Sequence, residues 1–171
     1  MISQLDNSLK ATEELISTLL EIAKLDDGKM EPDIQPLKLA PMLAQLGDEF
    51  LLLASQKNLR LKVRQSPYLV QSNSTYLRRI LQNMLSNAIK YTKKGRIVLG
   101  CRKRKNQLLI QVWDSGPGIA EPDLLRIFED FYRIDATARG QQGVGLGLGV
   151  VNRMAKLLNH PLKVQSWPGK G

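Results

Sequence analysis

Residues 75–91 carry the pattern that most constrains the fold, a run of apolar side chains at helical spacing. These positions recur every three or four residues and are Leu77, Ile80, Leu81, Met84, Leu85, Ala88 and Ile89. Side chains three and four residues apart share one face of an α-helix, so the segment predicts a helix with one buried face. Ser72 or Ser74 is the expected N-cap. A second layer of structure must cover that face.

The rest of the chain alternates between helical and strand patterns. We expect helices over residues 41–57 and 145–158, and strands over 59–63, 68–71, 96–104, 107–114 and 162–166. Lys105 and Asn106 are the expected turn of a hairpin. Strands that turn back on their neighbours beside long helices predict an α+β fold, a two-layer α/β sandwich whose mixed sheet is covered on one face by helices.

The first 25 residues predict one long helix with an apolar seam, formed by Ile2, Leu5, Leu9, Thr12, Ile16, Leu19 and Ala23. Such a helix is of the bundle type and packs against other helices, a second copy of itself included; the alternative is a helix lying on its own domain. Gly28, Pro32 and Pro36 favour its end. We therefore expect a helical segment over 1–28, a linker over 29–36 and a second domain over 37–171.

Composition and charge narrow the function. The single cysteine, Cys101, excludes a disulfide scaffold, and no apolar run approaches the roughly 18 residues of a membrane span. Residues 1–34 hold three basic and eight acidic side chains, whereas residues 35–171 hold 22 basic and eight acidic. The larger region therefore favours an anionic partner, and a nucleoside triphosphate, a nucleic acid or an acidic protein would each satisfy it.

Three polar residues border the apolar face of the helix over 75–91. Asn83, Asn87 and Lys90 follow each other at helical spacing and form one stripe. Amide oxygens suit a hard cation, while amide and ammonium groups can donate to phosphate oxygens. Ordinary boundary residues are the alternative interpretation.

Two glycine-containing segments follow. Asp114 ends an apolar strand just before Gly116, Pro117 and Gly118, where a carboxylate beside bare backbone can accept a hydrogen bond from an exocyclic amine, or simply form a hairpin turn. Residues 140–149 carry a glycine at 140, 143, 145, 147 and 149 before a helix, which suits anion binding by backbone N–H groups. The segment lacks the P-loop lysine and the position expected in a dinucleotide fold, which disfavours both folds.

Together, four ordered motifs resemble the catalytic, ATP-binding domain of two-component sensor histidine kinases, in the superfamily shared with DNA gyrase, chaperone and mismatch-repair ATPases. The N box resembles LQNMLSNAIKYT (residues 81–92) and the G1 box DSGPGI (114–119). The F box resembles IFEDFYR (127–133) and the G2 box GVGLGL (143–148). Residues 15–28 are similar to the end of the second helix of the dimerisation and phosphoacceptor hairpin.

The resemblance implies residue roles. Asn83, Asn87 and Lys90 would be the catalytic residues, and Asn87 would hold Mg²⁺. ATP would contact those three and Tyr91, Asp114, Gly116, Gly118, Ile119, Arg133, Gln142, Gly143, Val144, Gly145, Leu146, Gly147 and Leu148. Residues 120–143 would form a flexible ATP lid, anchored by Phe128 and Phe131.

The resemblance also implies an activity and partners. The chain would be a protein-histidine kinase module that binds Mg·ATP and, in a longer cytoplasmic or membrane-anchored protein, transfers the γ-phosphoryl group to a histidine of the dimerisation hairpin for relay to a receiver aspartate. We expect a fragment cut on both sides and lacking that histidine, with His160 a surface or structural residue. A homodimer through the N-terminal helix is a further expectation.

Two other functions remain open at this stage. One is a nucleotide-binding module that acts by docking to a partner without turnover. The other is a nucleic-acid binder, suggested by the basic run at residues 102–105, although few aromatic side chains are present to stack on bases. We expect no nucleic-acid partner and no membrane contact in this segment.

Overall fold

The computed structural model describes residues 2–134 and 144–171, with every side chain described from residue 15 onward in those ranges. The elements, in chain order, are α1 (Ile2–Asp26), β1 (Gln35–Lys38), α2 (Leu39–Gln56), β2 (Leu59–Val63), β3 (Leu69–Ser72), α3 (Ser74–Tyr91), β4 (Gly95–Arg104), β5 (Gln107–Asp114), α4 (Glu121–Leu124) and α5 (Gly147–Leu157). In the described ranges no helix is both long enough and apolar enough to cross a bilayer.

The strands form two sheets. β2, β4 and β5 lie in that order, with β2 parallel to β4 and β4 antiparallel to β5, while β1 and β3 form a separate antiparallel pair. Lys105 takes a left-handed φ of 52° at the turn between β4 and β5. The mixed sheet and its helices confirm the predicted α+β class.

The core lies between the helices and one face of the three-stranded sheet. On α3, Leu81 and Leu85 are buried, and Ile97 and Leu99 meet them from β4. α2 and α5 complete the layer with the buried side chains of Leu39, Leu43, Leu46, Val150, Val151 and Met154. The apolar face predicted for α3 therefore holds the helix rigidly against the sheet, which fixes the polar residues at its border.

Three local predictions differ from the structure. Asn73, rather than Ser72 or Ser74, is the N-cap of α3, and its Oδ1 accepts the Tyr76 N–H at 3.1 Å. Pro36, expected in the linker over 29–36, instead lies in β1. An edge strand tolerates the missing N–H of a proline. Residues 162–166 keep alternating exposure but form no ladder, so the predicted strand is wrong.

The last turns of α1 lie on the rest of the chain. Ile22 and Leu25 pack against the core, and Glu21 pairs with Arg79 of α3 at 2.6 Å. Burial raises the pKa of the Glu21 carboxyl, and the nearby Arg79 charge opposes that rise. Earlier apolar residues of α1 remain exposed: Leu9, Ile16, Leu19 and Leu20. The helix therefore docks on its own domain at one end and leaves an apolar face open at the other.

Candidate functional site

The middle of α3 lies against the start of α5. The Asn83 Nδ2 donates to the Arg79 carbonyl at 3.0 Å, which leaves its Oδ1 facing α5. A Cβ built on Gly147 would lie 3.0 Å from that Oδ1. A side chain at 147 would crowd this oxygen, so glycine there suits the close approach of the predicted N and G2 boxes.

The C-terminal end of α3 touches the end of β5. Thr92 is buried, and its Oγ1 donates to the Asp114 Oδ1 at 3.4 Å. The Gly116 N–H donates to the same oxygen at 2.8 Å. The Asp114 Oδ2 accepts no hydrogen bond from the residues that the structure describes. The carboxylate is thus held by one oxygen and available for a ligand through the other.

Between these two contacts α3 presents the remaining polar residues of the stripe. Asn87 and Lys90 are half-buried, and the Lys90 Nζ lies 5.0 Å from the centroid of the Tyr91 ring, which is 42% exposed. The Asn87 side chain has no side-chain partner in the described ranges. About 14 Å of helix separates Asn83 from Thr92. The distance between the contact at Gly147 and the contact at Asp114 is therefore similar to the length of an extended nucleotide.

Lys57, just after α2, caps the end of α3. Its Nζ donates to the Ile89 carbonyl at 3.0 Å and to the Lys90 carbonyl at 3.2 Å. A cation at these carbonyls satisfies acceptors that the helix itself leaves unpaired. α2 therefore fixes the turn of α3 that carries Lys90 and Tyr91.

The last residues of the chain support the glycine turn after β5. Gly118 has a left-handed φ of 71°, and an added Cβ would collide with the Trp167 carbonyl. The Ile119 N–H donates to the Ser166 Oγ at 2.8 Å, and the Gly169 N–H to the Pro117 carbonyl at 2.6 Å. Sequence reasoning missed this support, because no local pattern connects positions almost 50 residues apart.

The F box is tied to the G2 box by its backbone. The Phe131 N–H donates to the Gly145 carbonyl at 3.1 Å, and Gly145 has a φ of 83° that favours glycine. The Phe128 ring is half-buried, as an anchor requires, but the Phe131 ring is 59% exposed. Anchoring through the Phe131 side chain is therefore wrong, since its backbone makes the connection.

Four of the other predicted lid and G2 residues are described by the structure, and two are not. Arg133 is half-buried, Val144 is exposed, Leu146 is buried and Leu148 is half-buried. Gln142 and Gly143 lie outside the described residues. α5 begins without a side-chain cap at Leu146, so N–H groups of its first turn are available to an anion.

An ion-pair network links the F box, α5 and α1. Arg153 of α5 binds both carboxylate oxygens of Asp130, at 2.9 and 2.8 Å, and its Nε donates to Asp26 at 2.8 Å. The hydrogen bonds from Arg153 lower the pKa of the Asp130 carboxyl. A cleft of about 550 Å³ lies beside this network, away from Asn87 and Asp114.

This pair predicts a pH-dependent contribution to stability. Because the pKa of the Asp130 carboxyl is lowered in the folded state, its ion pair with Arg153 stabilises the fold fully above the ordinary aspartate pKa of about 3.9. That stabilisation is lost as the pH falls through the lower pKa of the folded state. We expect Asp130→Asn to lower the free energy of unfolding by about 1 kcal/mol at neutral pH, and by progressively less below about pH 3. Urea unfolding of both proteins at neutral pH and below about pH 3 measures this difference in the free energy of unfolding. Asp27→Asn, at an exposed pair with Lys29, is the control; a pH-independent loss would contradict the assignment.

Two remaining observations bear on metals and on the histidine. Among the described residues no group of three or more His, Cys, Asp or Glu side chains could hold a metal ion. The His160 Nε2 lies 3.0 Å from the Ser72 Oγ, at the end of β3. His160 thus has the structural contact that the sequence analysis expected.

Residues 72–171 match the family model described as histidine kinase-, DNA gyrase B-, and HSP90-like ATPase. The match covers more than half of the chain, so this chain belongs to that ATPase family, and the predicted resemblance is confirmed.

Curated relatives fall on the sensor kinase side of the family. The chain is 33% identical over 163 residues to the aerobic respiration control sensor protein ArcB of Escherichia coli K12, with 92% of this chain and 21% of the relative covered. It is 31% identical over 177 residues to the sensor histidine kinase AtsR of Burkholderia thailandensis, with 99% and 29% covered. The chain thus spans less than a third of the length of either relative.

Solved structures agree. ShkA, determined as the full-length protein in complex with AMPPNP, matches with a TM-score of 0.73 and 28% identity over 84% of this chain and 30% of that one. The Acinetobacter baumannii histidine kinase AdeS matches with a TM-score of 0.78 over 99% of this chain and 79% of that one. At 19% identity, AdeS supports the fold alone.

Proposed function

We propose that this chain is the ATP-binding catalytic domain of a sensor histidine kinase, and that ATP binds along α3 between the Asp114 turn and the start of α5. The carrying observation is that α3 and its C-cap residue lie against both glycine segments, through Asn83 at Gly147 and through Thr92 at Asp114. Asp114 would accept the adenine amine through Oδ2, and the uncapped N–H groups of α5 would receive phosphate oxygens.

Mg²⁺ fits the polar residues present. Mg²⁺ usually takes one or two protein oxygens together with substrate phosphates rather than a complete protein cage. The Asn87 amide, half-buried and without a side-chain partner in the described ranges, would supply a protein oxygen, with Asn83 beside it. Bound there, the ion would neutralise charge that develops on the phosphates. Lys90 would add a positive charge to the same region.

In the longer protein, the γ-phosphoryl group would pass to a histidine of the dimerisation hairpin. The imidazole nitrogen forms the bond to phosphorus as the bond to the β–γ bridging oxygen breaks and ADP leaves. The domain contributes by positioning the triphosphate and stabilising its charge. The phosphoryl group would then move to an aspartate of a receiver domain, in a cytoplasmic setting.

Titration calorimetry with a non-hydrolysable ATP analogue, with and without Mg²⁺, tests the metal assignment. We expect Asn87→Ala to weaken binding by about tenfold or more when Mg²⁺ is present, and to change it little without the metal. Ser86→Ala, at an exposed neighbouring position on α3, is the control. Equal loss with and without Mg²⁺ would remove Asn87 from its role. Nucleotide binding without transfer to a supplied acceptor hairpin would instead support the docking alternative.

A further inference from the structure

One face of the three-stranded sheet is left uncovered by the helices that the structure describes, and most of its exposed side chains are basic. Along β2, Leu59, Leu61 and Val63 point toward the helices and alternate with exposed Arg60 and Lys62. Since successive side chains of a strand point to opposite sides, both cations lie on the uncovered side. The alternation continues in β4, where Ile97 and Leu99 are buried.

Strand register sets these cations side by side. Arg60 is the neighbour of Arg96, and Lys62 the neighbour of Val98. Arg64 follows β2, and its side chain lies over Gly100, where an added Cβ would be 3.1 Å from the Arg64 Cβ. Further along β4 the same side carries Arg102 and Arg104. We call these residues the basic face: Arg60, Lys62, Arg64, Arg96, Arg102 and Arg104.

No carboxylate on the exposed side of the three strands balances this charge. The only carboxylate on the three strands is Asp114, which contacts Thr92 on the helix side. Within the described ranges, none of the basic-face side chains forms an ion pair. Like charges opposite each other on neighbouring strands repel. An anionic partner would relieve that repulsion across the whole face.

Both tryptophans of the chain lie at the edge of the basic face. Trp113 pairs in register with Val98, and its ring stacks on Trp167 with centroids 6.4 Å apart and planes within 6°. The two side chains remain 42% and 49% exposed. Exposed indoles are enriched at the water–bilayer interface, where an apolar ring and a polar N–H both find a suitable environment.

We propose that the basic face binds the surface of an anionic phospholipid bilayer as a peripheral contact. A flat array of positive charges is complementary to a plane of anionic headgroups. A protein partner, in contrast, is usually held in register by charges of both signs. Single-stranded nucleic acid would need stacking platforms along its path, and here the aromatic rings are confined to one edge. The nucleotide site lies on the other side of β5, so bilayer contact leaves it open. This proposal replaces the expectation of no membrane contact.

Vesicle binding followed by tryptophan emission tests the proposal, because both tryptophans of the chain report on the same face. At about 0.1 M salt, we expect the chain to bind phosphatidylglycerol vesicles with a blue-shifted emission, to bind phosphatidylcholine vesicles weakly, and to be released by high salt. Arg60→Gln with Arg96→Gln should weaken partitioning roughly 30-fold.

The matched control is Lys38→Gln with Lys156→Gln, which removes two exposed cations elsewhere. If the control weakens vesicle partitioning threefold or less, the basic face is specifically responsible for binding. Equal losses of partitioning in the two double variants would show that net charge alone drives binding, and would overturn the proposal. Unchanged tryptophan emission on vesicle binding would also overturn it. So would tighter binding of a single-stranded oligonucleotide or polyglutamate that is lost in Arg60→Gln with Arg96→Gln, because the face would then belong to that partner. Nucleotide titration of both variants keeps this result separate from the proposed kinase function.

Discussion

Asp114→Ala is expected to weaken binding of an ATP analogue by about 10- to 100-fold, and to reduce the preference for adenine over guanine nucleotides. Hydrogen bonds to a charged group contribute about 1.5–3 kcal/mol, which corresponds to that range of affinity. The substitution also leaves the Gly116 N–H and the Thr92 hydroxyl without their acceptor. Calorimetric titration with adenine and guanine nucleotides measures both effects.

Two further variants make the Asp114 result specific. Asp48→Ala removes an exposed carboxylate from α2 and should leave affinity unchanged. Asp114→Asn keeps an oxygen for Gly116 and Thr92 while removing the charge, so its affinity should fall between the other two. Wild-type affinity and selectivity in Asp114→Ala would exclude this carboxylate as the group that reads the base.

Leu85→Ala is expected to lower the free energy of unfolding by about 2–5 kcal/mol, a large part of the 5–15 kcal/mol typical of a domain. Leu85 is fully buried on α3 against the sheet, and truncation leaves a cavity there. Urea unfolding measures the loss. Leu52→Ala on α2 is the matched control, because that side chain is 65% exposed and should change stability by less than about 0.5 kcal/mol. Similar losses in both variants would contradict the position of α3 in the core.

Elements with long periodic patterns were predictable from the sequence. α3 spans Ser74–Tyr91 against a predicted 75–91, because seven apolar positions at helical spacing leave one face to bury. The hairpin of β4 and β5 was equally accessible, since alternation on both strands and the turn at Lys105 agree. The sequence predicted that Asp114 and Gly147 lie against α3 near Asn83 only once the four motifs were recognised together. Each motif alone had an ordinary alternative interpretation.

Features that depend on distant partners were not predictable. Pro36 favoured a linker, and only the presence of β3 makes Gln35–Lys38 an edge strand. The alternation over residues 162–166 reports which side chains are covered, but strand formation also needs a neighbouring backbone in register. The contacts of Trp167 with Gly118 and Trp113 left no local signal either.

The hydrogen bond between the Phe131 N–H and the Gly145 carbonyl joins the two ends of the intervening segment at its base. Because the closure entropy of a loop grows only logarithmically with its length, doubling the number of residues between the two partners of this hydrogen bond would cost about 0.6 kcal/mol. An insertion between these two residues should therefore cost the fold little, so a loss of nucleotide affinity in such a variant would report on the ATP contacts expected from Arg133, Gln142, Gly143 and Val144 rather than on unfolding.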